Sequence, residues 1–299
     1  MTYGGTLQPS AALPSLWRSK AESQAAATQT ALRGLIQRAK ENNTGVTADV
    51  VAAFTALHMT TDDGTPIIPA AHHRLWLRLM CNPAIPRLLI IGTPESAKTT
   101  WALAYAACLI GFYPEQPGII AAVSGTVAGK RSLALRHIVD NDRFRQTFPD
   151  VQPIDTMPWR EEEWSVGPGG KPHAGRIHPT VSAYGTGGSI TGSRARWLIA
   201  DDILDYDNTR TQGGRTTVNT WFHTALLSRL MARVGRAVVI GNTYHHDDTY
   251  ARLRQSEGWV TCHIPLLSEG SEVVATITYP DDFAGTPIGR PAGAAEVDA

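Results

Sequence analysis

The sequence predicts an α/β fold, with a mainly parallel central sheet flanked by helices and preceded by a helical N-terminal region. Three observations carry this reading. Short apolar runs recur at Leu88–Ile91, Gly118–Ser124, Trp197–Ala200 and within Arg236–Asn242. Strands buried on both faces read as such near-continuous runs rather than as an alternation. Helical patterns fall between the runs, and polar residues suited to chemistry follow them: Gly92–Thr100, Asp201 and Asp202, then Asn242 and Thr243. In open α/β sheets ligands gather at the carboxyl ends of strands.

Bulk properties bound the answer. A chain of 299 residues holds one large α/β domain or two small ones. Its apolar content of 42% and charged content of 18% are ordinary for a folded soluble protein. The net charge of zero argues against a strong general attraction to nucleic acid. Cys81, Cys108 and Cys262 lie far apart with neither a metal spacing nor a disulfide pattern, which favours a reducing compartment. No signal-peptide pattern is present, and no apolar run approaches the length of a membrane span.

The elements follow in order. Met1–Pro14 reads as a tail rich in Gly, Pro, Ser and Thr. Ser15–Asn42 predicts a helix with Leu32, Leu35 and Ile36 on one face, and Asn42–Gly45 breaks it. Thr47–Met59 predicts a second helix through Val50, Val51, Phe54 and Leu57, and Ala70–Met80 a third after a turn-rich stretch. His72 and His73 read as a polar helix face, with an adenine-side contact as the alternative.

Arg87–Trp101 then reads as strand, tight loop, Lys-Thr-Thr and helix, the helix running through Ile110 to end at Gly111. Gly92 and Lys98 have the spacing of a G-x-x-x-x-G-K-T phosphate loop, with Ala97 in place of the second glycine. Loop amides and the helix N-terminus would cradle phosphates, with Gly92, Thr93, Pro94, Glu95, Ser96 and Ala97 forming the loop and Lys98, Thr99 and Thr100 the helix start. Lys98 would reach the β- and γ-phosphates, and the Thr99 hydroxyl would ligate Mg²⁺. The same stretch also fits a plain strand-turn-helix with a surface lysine, so an acid elsewhere must complete the site.

Gly118–Ser124 predicts a second buried strand, Gly125–Ile138 a loop in which Lys130 and Arg131 enter a helix, and Asn141–Phe148 its continuation. Pro149–Pro179 reads as irregular, and its acidic run Glu161–Glu163 as a solvated face. Thr180–Tyr184 predicts a short strand, and Gly185–Arg196 a glycine-rich loop carrying Arg194 and Arg196. Trp197–Asp202 is the second decisive segment, a strand with two aspartates at its carboxyl end. One acid there can hold Mg²⁺ opposite the phosphate loop while its neighbour positions water. The alternative makes Asp201 a turn cap and leaves Asp202 to solvent. A helix is predicted from Thr217, with Arg229 and Arg233 on one face, followed by the strand Arg236–Asn242. His245, His246, Asp247 and Asp248 suggest a metal cluster, but their adjacency favours an N-cap by Asp247 or Asp248. Trp259–Pro265 is a last strand, and the chain from Ser268, including Phe283–Ala299, reads as linker and tail.

These signals together resemble the ATPase part of bacteriophage terminase large subunits. The residues that carry the resemblance are Thr93–Thr100, Thr191–Arg194 leading into Leu198–Asp202, Gly241–Asp248 and Trp259–Pro265. It covers roughly Pro69–Leu267. It implies a P-loop NTPase fold of the ASCE type, divided as an N-terminal tail and helical region (1–66), an ATPase domain (67–267) and a C-terminal linker or tail (268–299). It also implies ATP and Mg²⁺ as ligands, and a motor that moves double-stranded DNA into a procapsid. Implied partners are the portal protein, the small terminase subunit and further copies of the chain in a ring on the portal, acting in the host cytoplasm with no membrane. By resemblance Lys98 and Thr99 belong to the Walker A motif, Asp201 is the Walker B metal acid, and Asp202 takes the place of the catalytic glutamate. Asn242 and Thr243 match the coupling motif. Arg194 is the first choice for a charge-stabilising arginine, in trans or in cis, with Arg196 and Arg131 as alternatives.

The sequence departs from that pattern at Ala97, at Pro94 where many relatives carry arginine, and at Asp202, one methylene shorter than glutamate. Full-length relatives carry a C-terminal nuclease, for which the roughly 30 residues after Leu267 are too few. Asp281, Asp282, Glu296 and Asp298 do not rebuild one, so no nuclease activity is expected, and a separate or truncated nuclease is implied. Two other readings stay open: a nucleotide-binding assembly module with little hydrolysis, and a helicase-like DNA-dependent ATPase. A purely structural α/β domain would leave Lys98 and Asp201 far apart.

Overall fold

The structure is a computed structural model that describes residues 15–265, 275–285 and 287–288, with backbone only for 15–25. The expected tail at Met1–Pro14 and most of the expected tail after Ser268, including Glu296 and Asp298, lie outside the described residues. The N-terminal helices are α1 (Ser15–Glu41), α2 (Ala48–His58) and α3 (Ala71–Cys81). Then come β1 (Arg87–Ile91), α4 (Lys98–Phe112), β2 (Gly118–Ala122), α5 (Gly125–Val139) and α6 (Asp142–Thr147). Short strands β3 (Val151–Pro153), β4 (Glu163–Trp164) and β5 (Val166–Pro168) precede β6 (Val181–Gly185) and β7 (Trp197–Asp201). The chain continues through α7 (Tyr206–Thr209), α8 (Gln212–Trp221), β8 (Arg236–Gly241), α9 (Thr249–Arg254), β9 (Val260–His263) and β10 (Thr276–Thr278).

The main sheet has the order β10-β9-β1-β8-β7-β2-β6-β4. Its six inner strands, β9 to β6, pair in parallel, while β10 and β4 close the two edges in antiparallel. One strand, β8, stands between β1, which leads into the Gly92–Ala97 loop, and β7, which ends in Asp201. The register Ile91↔Gly241 and Asp201↔Ile240 brings the ends of β1, β8 and β7 level. The loop after β1, the aspartate ending β7 and Asn242 after β8 therefore share one rim.

The pleat sends alternate residues to opposite faces. Leu88, Ile90, Ile120, Ile199, Val238 and Ile240 join a core with α4, Trp76, Phe54 and Leu32. Leu89, Ile91, Ile119, Leu198, Ala200 and Val239 join a second core with Val218, Trp221, Phe222, Tyr250 and Leu253. Both faces are covered, so the strands read as unbroken apolar runs. Helix α4 is buried almost all round, as its nearly all-apolar sequence requires. The N-terminal helices pack into the first core through Leu32, Ile36, Val50 and Phe54.

Several expectations need correcting. Gly125–Ile138 contains no entry loop: Ser124 caps α5 directly, its Oγ accepting from the Val127 amide at 3.2 Å. Helix α8 starts at Gln212, not Thr217, because Thr211 accepts from the Gly214 amide at 3.1 Å and this cap outweighs the poor helix propensity of Gly213 and Gly214. The helix then widens into a π turn at Phe222–Leu226 and tightens into a 3₁₀ turn ending at Arg229. Arg233 lies beyond it with a φ of 67°, so Arg229 and Arg233 share no helix face. The irregular stretch 149–179 holds β3, β4 and β5, and Glu163 lies in β4, while of the acidic run Glu162 is exposed and Glu161 and Glu163 are half-buried. Beyond residue 267, β10 extends the sheet, pairing Ile277 with Cys262. Its three residues were too few to carry a periodic signal.

Candidate active site

The segment between β1 and α4 makes a compact turn in which Glu95 and Ala97 both adopt left-handed backbone, with φ of 62° and 59°. Glycine is the usual residue there, because a Cβ crowds the following carbonyl. Ala97 is the residue immediately before α4, where the missing second glycine would stand. Gly92 is constrained differently: a Cβ on it would lie 3.3 Å from the Trp76 ring and 3.5 Å from Lys98 Cδ.

Lys98 is 94% buried, its residue only 6% exposed. Its Nζ donates to the carbonyls of Gly92 at 3.0 Å and Thr93 at 2.7 Å, and to Asn242 Oδ1 at 3.1 Å. The expected phosphate lysine thus folds back on its own loop. Burial lowers its pKa, and Asp202 and then Asp201 oppose that shift. Ser96 Oγ closes the turn by donating to the Thr93 carbonyl at 2.6 Å.

Thr99 Oγ1 lies 2.9 and 3.0 Å from the two carboxylate oxygens of Asp201. The reading that made Asp201 a turn cap is excluded, since its carboxylate faces the loop helix. A hydroxyl and a carboxylate are hard oxygen donors, and Mg²⁺ takes one or two such protein ligands while phosphates and water supply the rest, so these residues fit that ion. Asp202 follows in left-handed backbone with φ of 49°, its amide donating to the Ile240 carbonyl at 3.0 Å and its carbonyl accepting from the Val123 amide at 3.0 Å. Its Oδ1 is buried and has no hydrogen-bond partner. Burial raises the Asp202 pKa, Asp201 adds to the rise, and Lys98 and Arg131 oppose it.

Arg131 reaches the same cluster from α5, its Nε donating to Asp201 Oδ2 at 2.7 Å. Its neighbour Lys130 faces solvent. A second unexpected contact comes from α3. His73 Nδ1 accepts from the Ala70 amide at 3.0 Å, so its Nε2 carries the proton and donates to the Ser96 carbonyl at 3.0 Å. Its ring also lies 5.0 Å from that of Trp101. Burial lowers the His73 pKa to about 4. His73 is therefore more than a polar helix face: it ties α3 to the loop between the two left-handed residues.

Tyr250 frames the rim from below. Its hydroxyl accepts from the Ile203 amide at 3.0 Å and lies 3.5 Å from the Ile240 carbonyl. A Cβ on Gly241 would fall 2.5 Å from its ring, so glycine is required at the end of β8. Thr243 is exposed and lines a 580 Å³ cavity with His245, His246, Arg254 and Thr261. Asp248 caps α9, its Oδ1 accepting from the Ala251 amide at 2.8 Å, as the sequence suggested. Among the described residues no three His, Cys, Asp or Glu side chains group to hold a metal.

Thr93, Pro94, Glu95 and Thr100 all lie on the loop and the first turn of α4. Arg194 is not with them. It precedes β7, whose carboxyl end carries Asp201, and five strand residues span about 17 Å. Arg194 is exposed, its Nη1 3.4 Å from the Ser228 carbonyl. The length of β7 thus separates Arg194 from Asp201 within the chain. Arg196 lies on the same far side, where its carbonyl accepts from the Arg236 amide.

No family model matches the sequence. Over 159 residues the chain is 28% identical to the terminase large subunit of Enterobacteria phage T3, a match that covers 52% of this chain and 25% of that protein. Among solved structures, the large terminase ATPase domain of Thermus phage P74-26 aligns at 15% identity with a TM-score of 0.45, over 62% of this chain and 69% of that one. The large terminase of bacteriophage HK97 aligns at 13% identity with a TM-score of 0.45, over 74% of this chain and 45% of that one. The curated relative bears out the resemblance carried by the loop and strand motifs: this chain is similar to bacteriophage terminase large subunits, over a segment that spans a quarter of that relative's length.

Proposed function

We propose that this chain is the Mg²⁺-dependent ATPase of a viral DNA-packaging motor, acting on double-stranded DNA at a procapsid in the host cytoplasm. The observation that carries the proposal is the meeting of Lys98, Thr99, Asp201 and Asn242 on one rim of the sheet, although they come from three separate strand ends. The similarity to a terminase large subunit supports the packaging role.

In this reading Lys98 leaves the Gly92 and Thr93 carbonyls to pair with β- and γ-phosphate oxygens, and amides of Gly92–Thr100 other than Pro94, which has no N–H, hold the remainder. Thr99 and Asp201 hold Mg²⁺, which neutralises charge that develops on the phosphates. Asp202, with its free buried Oδ1, orients the attacking water. Its side chain is one methylene shorter than glutamate, and misplacement on the ångström scale is costly to rate, so intrinsic turnover is slow. Asn242 already contacts Lys98 and, with Thr243, reports loss of the γ-phosphate to the part that moves DNA. Arg194 acts on a neighbouring copy in a ring on the portal protein, with the small terminase subunit as a further partner.

Phosphate release with Mg²⁺ and ATP, with and without duplex DNA, tests this. DNA-stimulated turnover that is lost in Lys98→Ala and Asp202→Asn is the expected result. Unchanged turnover in Lys98→Ala would overturn the site. Tight ATP binding with no turnover, even with DNA and portal, would favour a nucleotide-gated assembly module, a reading that the strained Ala97 and the short Asp202 support.

A further inference from the structure

We propose that Arg131 adds to the preference of this site for ATP over ADP: it holds Asp201 while no nucleotide is bound and transfers to the γ-phosphate when Mg·ATP arrives. The inference rests on the nucleotide site proposed above and adds a residue and a selectivity to it.

The Asp201 carboxylate has two polar neighbours. Thr99 Oγ1 lies on one side, and the Arg131 guanidinium approaches the other, 2.7 Å from Oδ2. Asp201 is 3% exposed, so a lone negative charge there would be costly, and Arg131 supplies the compensating one. Arg131 itself is 36% exposed. Among the described contacts of its side chain only the one to Asp201 is a hydrogen bond or ion pair, so the guanidinium is held at one end by the helix and at the other by a single partner.

That arrangement cannot persist unchanged once a divalent cation sits between Thr99 and Asp201. Two positive groups would then compete for one carboxylate, and like charges in a site shielded from water repel strongly. Lys98 is in the parallel position, satisfied by the Gly92 and Thr93 carbonyls until phosphate replaces them. Both cations of the site are thus parked on protein oxygens. The freed Arg131 has a planar fork of donors suited to a phosphate. Binding of Mg·ATP exchanges the Asp201 contact for a γ-phosphate contact. Binding of Mg·ADP gives up the first and gains nothing in return. The lost ion pair therefore opposes ADP and is offset for ATP, which makes the chain favour the triphosphate before any hydrolysis.

The test is calorimetric titration of the full chain with Mg·ADP and with the non-hydrolysable triphosphate Mg·AMP-PNP. Arg131→Gln is compared with the unsubstituted protein, after matched thermal unfolding has been checked. A charge-assisted contact to phosphate should favour AMP-PNP over ADP by about ten- to a hundredfold in the unsubstituted protein. In Arg131→Gln the ratio of the two affinities should fall about tenfold or more, leaving the preference that Lys98 gives through its own γ-phosphate contact, with ADP binding unchanged or tighter. If Arg131→Gln does not fold, Arg131→Met, unbranched and helix-compatible, gives the same readout. A ratio unchanged in the variant, or equal losses for both nucleotides, would overturn the role of Arg131 while leaving the nucleotide site standing. If the unsubstituted protein binds neither nucleotide, the proposed function falls and this inference with it.

Discussion

Thr99 and Asp201, separated by 102 residues in the chain, meet with the threonine hydroxyl 2.9 and 3.0 Å from the two oxygens of the carboxylate. The parallel register of β1, β8 and β7 produces this contact, since it sets the strand ends level and α4 starts directly above them. In the proposed function it is the preformed half of a cation site. Asp201→Asn keeps the shape but removes the charge that a hard divalent cation requires. The expected outcome is a loss of Mg²⁺-dependent ATP turnover on the order of a hundredfold or more, comparable to removing a stabilising group from a transition-state charge. Nucleotide binding through Lys98 and the loop should survive. Phosphate release measured across a Mg²⁺ titration, beside nucleotide affinity, separates the two effects, and turnover within threefold of the unsubstituted protein would refute the assignment.

Ala97 stands in left-handed backbone at the start of α4. An L-residue there costs about 1–2 kcal/mol relative to right-handed backbone, against which glycine loses up to about 1 kcal/mol of chain entropy on folding. Ala97→Gly should therefore be neutral or stabilising, by up to about 1 kcal/mol. Urea midpoints at constant slope check this. A loss of stability would mean that the alanine methyl makes a packing contact worth more than the strain it brings.

The strands were legible because both faces of the sheet are covered, which erases the alternation and leaves apolar runs such as Leu88–Ile91. The loop, Lys98, Thr99 and the aspartate pair were legible because their spacing is local. Arg131 and His73 were visible as residues but not as partners of the site. Which way Arg131 points depends on the rotation of α5, set by the Ser124 cap, and no spacing in sequence encodes that rotation. His73 meets Ser96 only because α3 docks its first turn against the loop. Arg194 shows the reverse relation: near Asp201 in sequence, it is distant in space, since an extended strand lies between them. Helix α8 was placed too late because its first turn contains Gly213 and Gly214, and the π turn after it has no sequence signature.

His58 gives the N-terminal helices an acid sensitivity. Its Nε2 lies 3.0 Å from Thr147 Oγ1, and its Nδ1 is buried without a partner. Burial, with Arg143 adding a smaller repulsion, lowers its pKa from 6.5 to about 4. The unfolded chain therefore binds a proton near pH 6.5 that the folded chain refuses until about pH 4. The stability of the neutral form is fully present above pH 6.5 and declines as pH falls through that window, by at most about 1.4 kcal/mol per pH unit for this group. Folding free energies from urea titrations between pH 7.5 and 4 should show the decline, and His58→Gln, which does not titrate there, should flatten it. An identical slope in the variant would place the proton uptake elsewhere, with His73 the next group to substitute.

Tyr250 holds the turn that presents Asp202. Its hydroxyl accepts from the Ile203 amide at 3.0 Å in the second core, where both groups are shielded from water. Tyr250→Phe keeps the ring against Gly241 and removes only that oxygen, leaving the Ile203 amide buried without an acceptor. A buried donor left unpaired costs about 1–3 kcal/mol, well above the net value of an ordinary hydrogen bond. The cost should fall partly on the turn itself, because Asp202 precedes Ile203 and sits in left-handed backbone between its bonds to Ile240 and Val123. The expected variant unfolds at lower urea concentration and hydrolyses ATP more slowly, with nucleotide affinity little changed, since Lys98 and the loop are anchored on β1 and α4. If stability falls but turnover per folded molecule does not, Tyr250 supports the sheet alone and the Asp202 turn is held by its own backbone bonds.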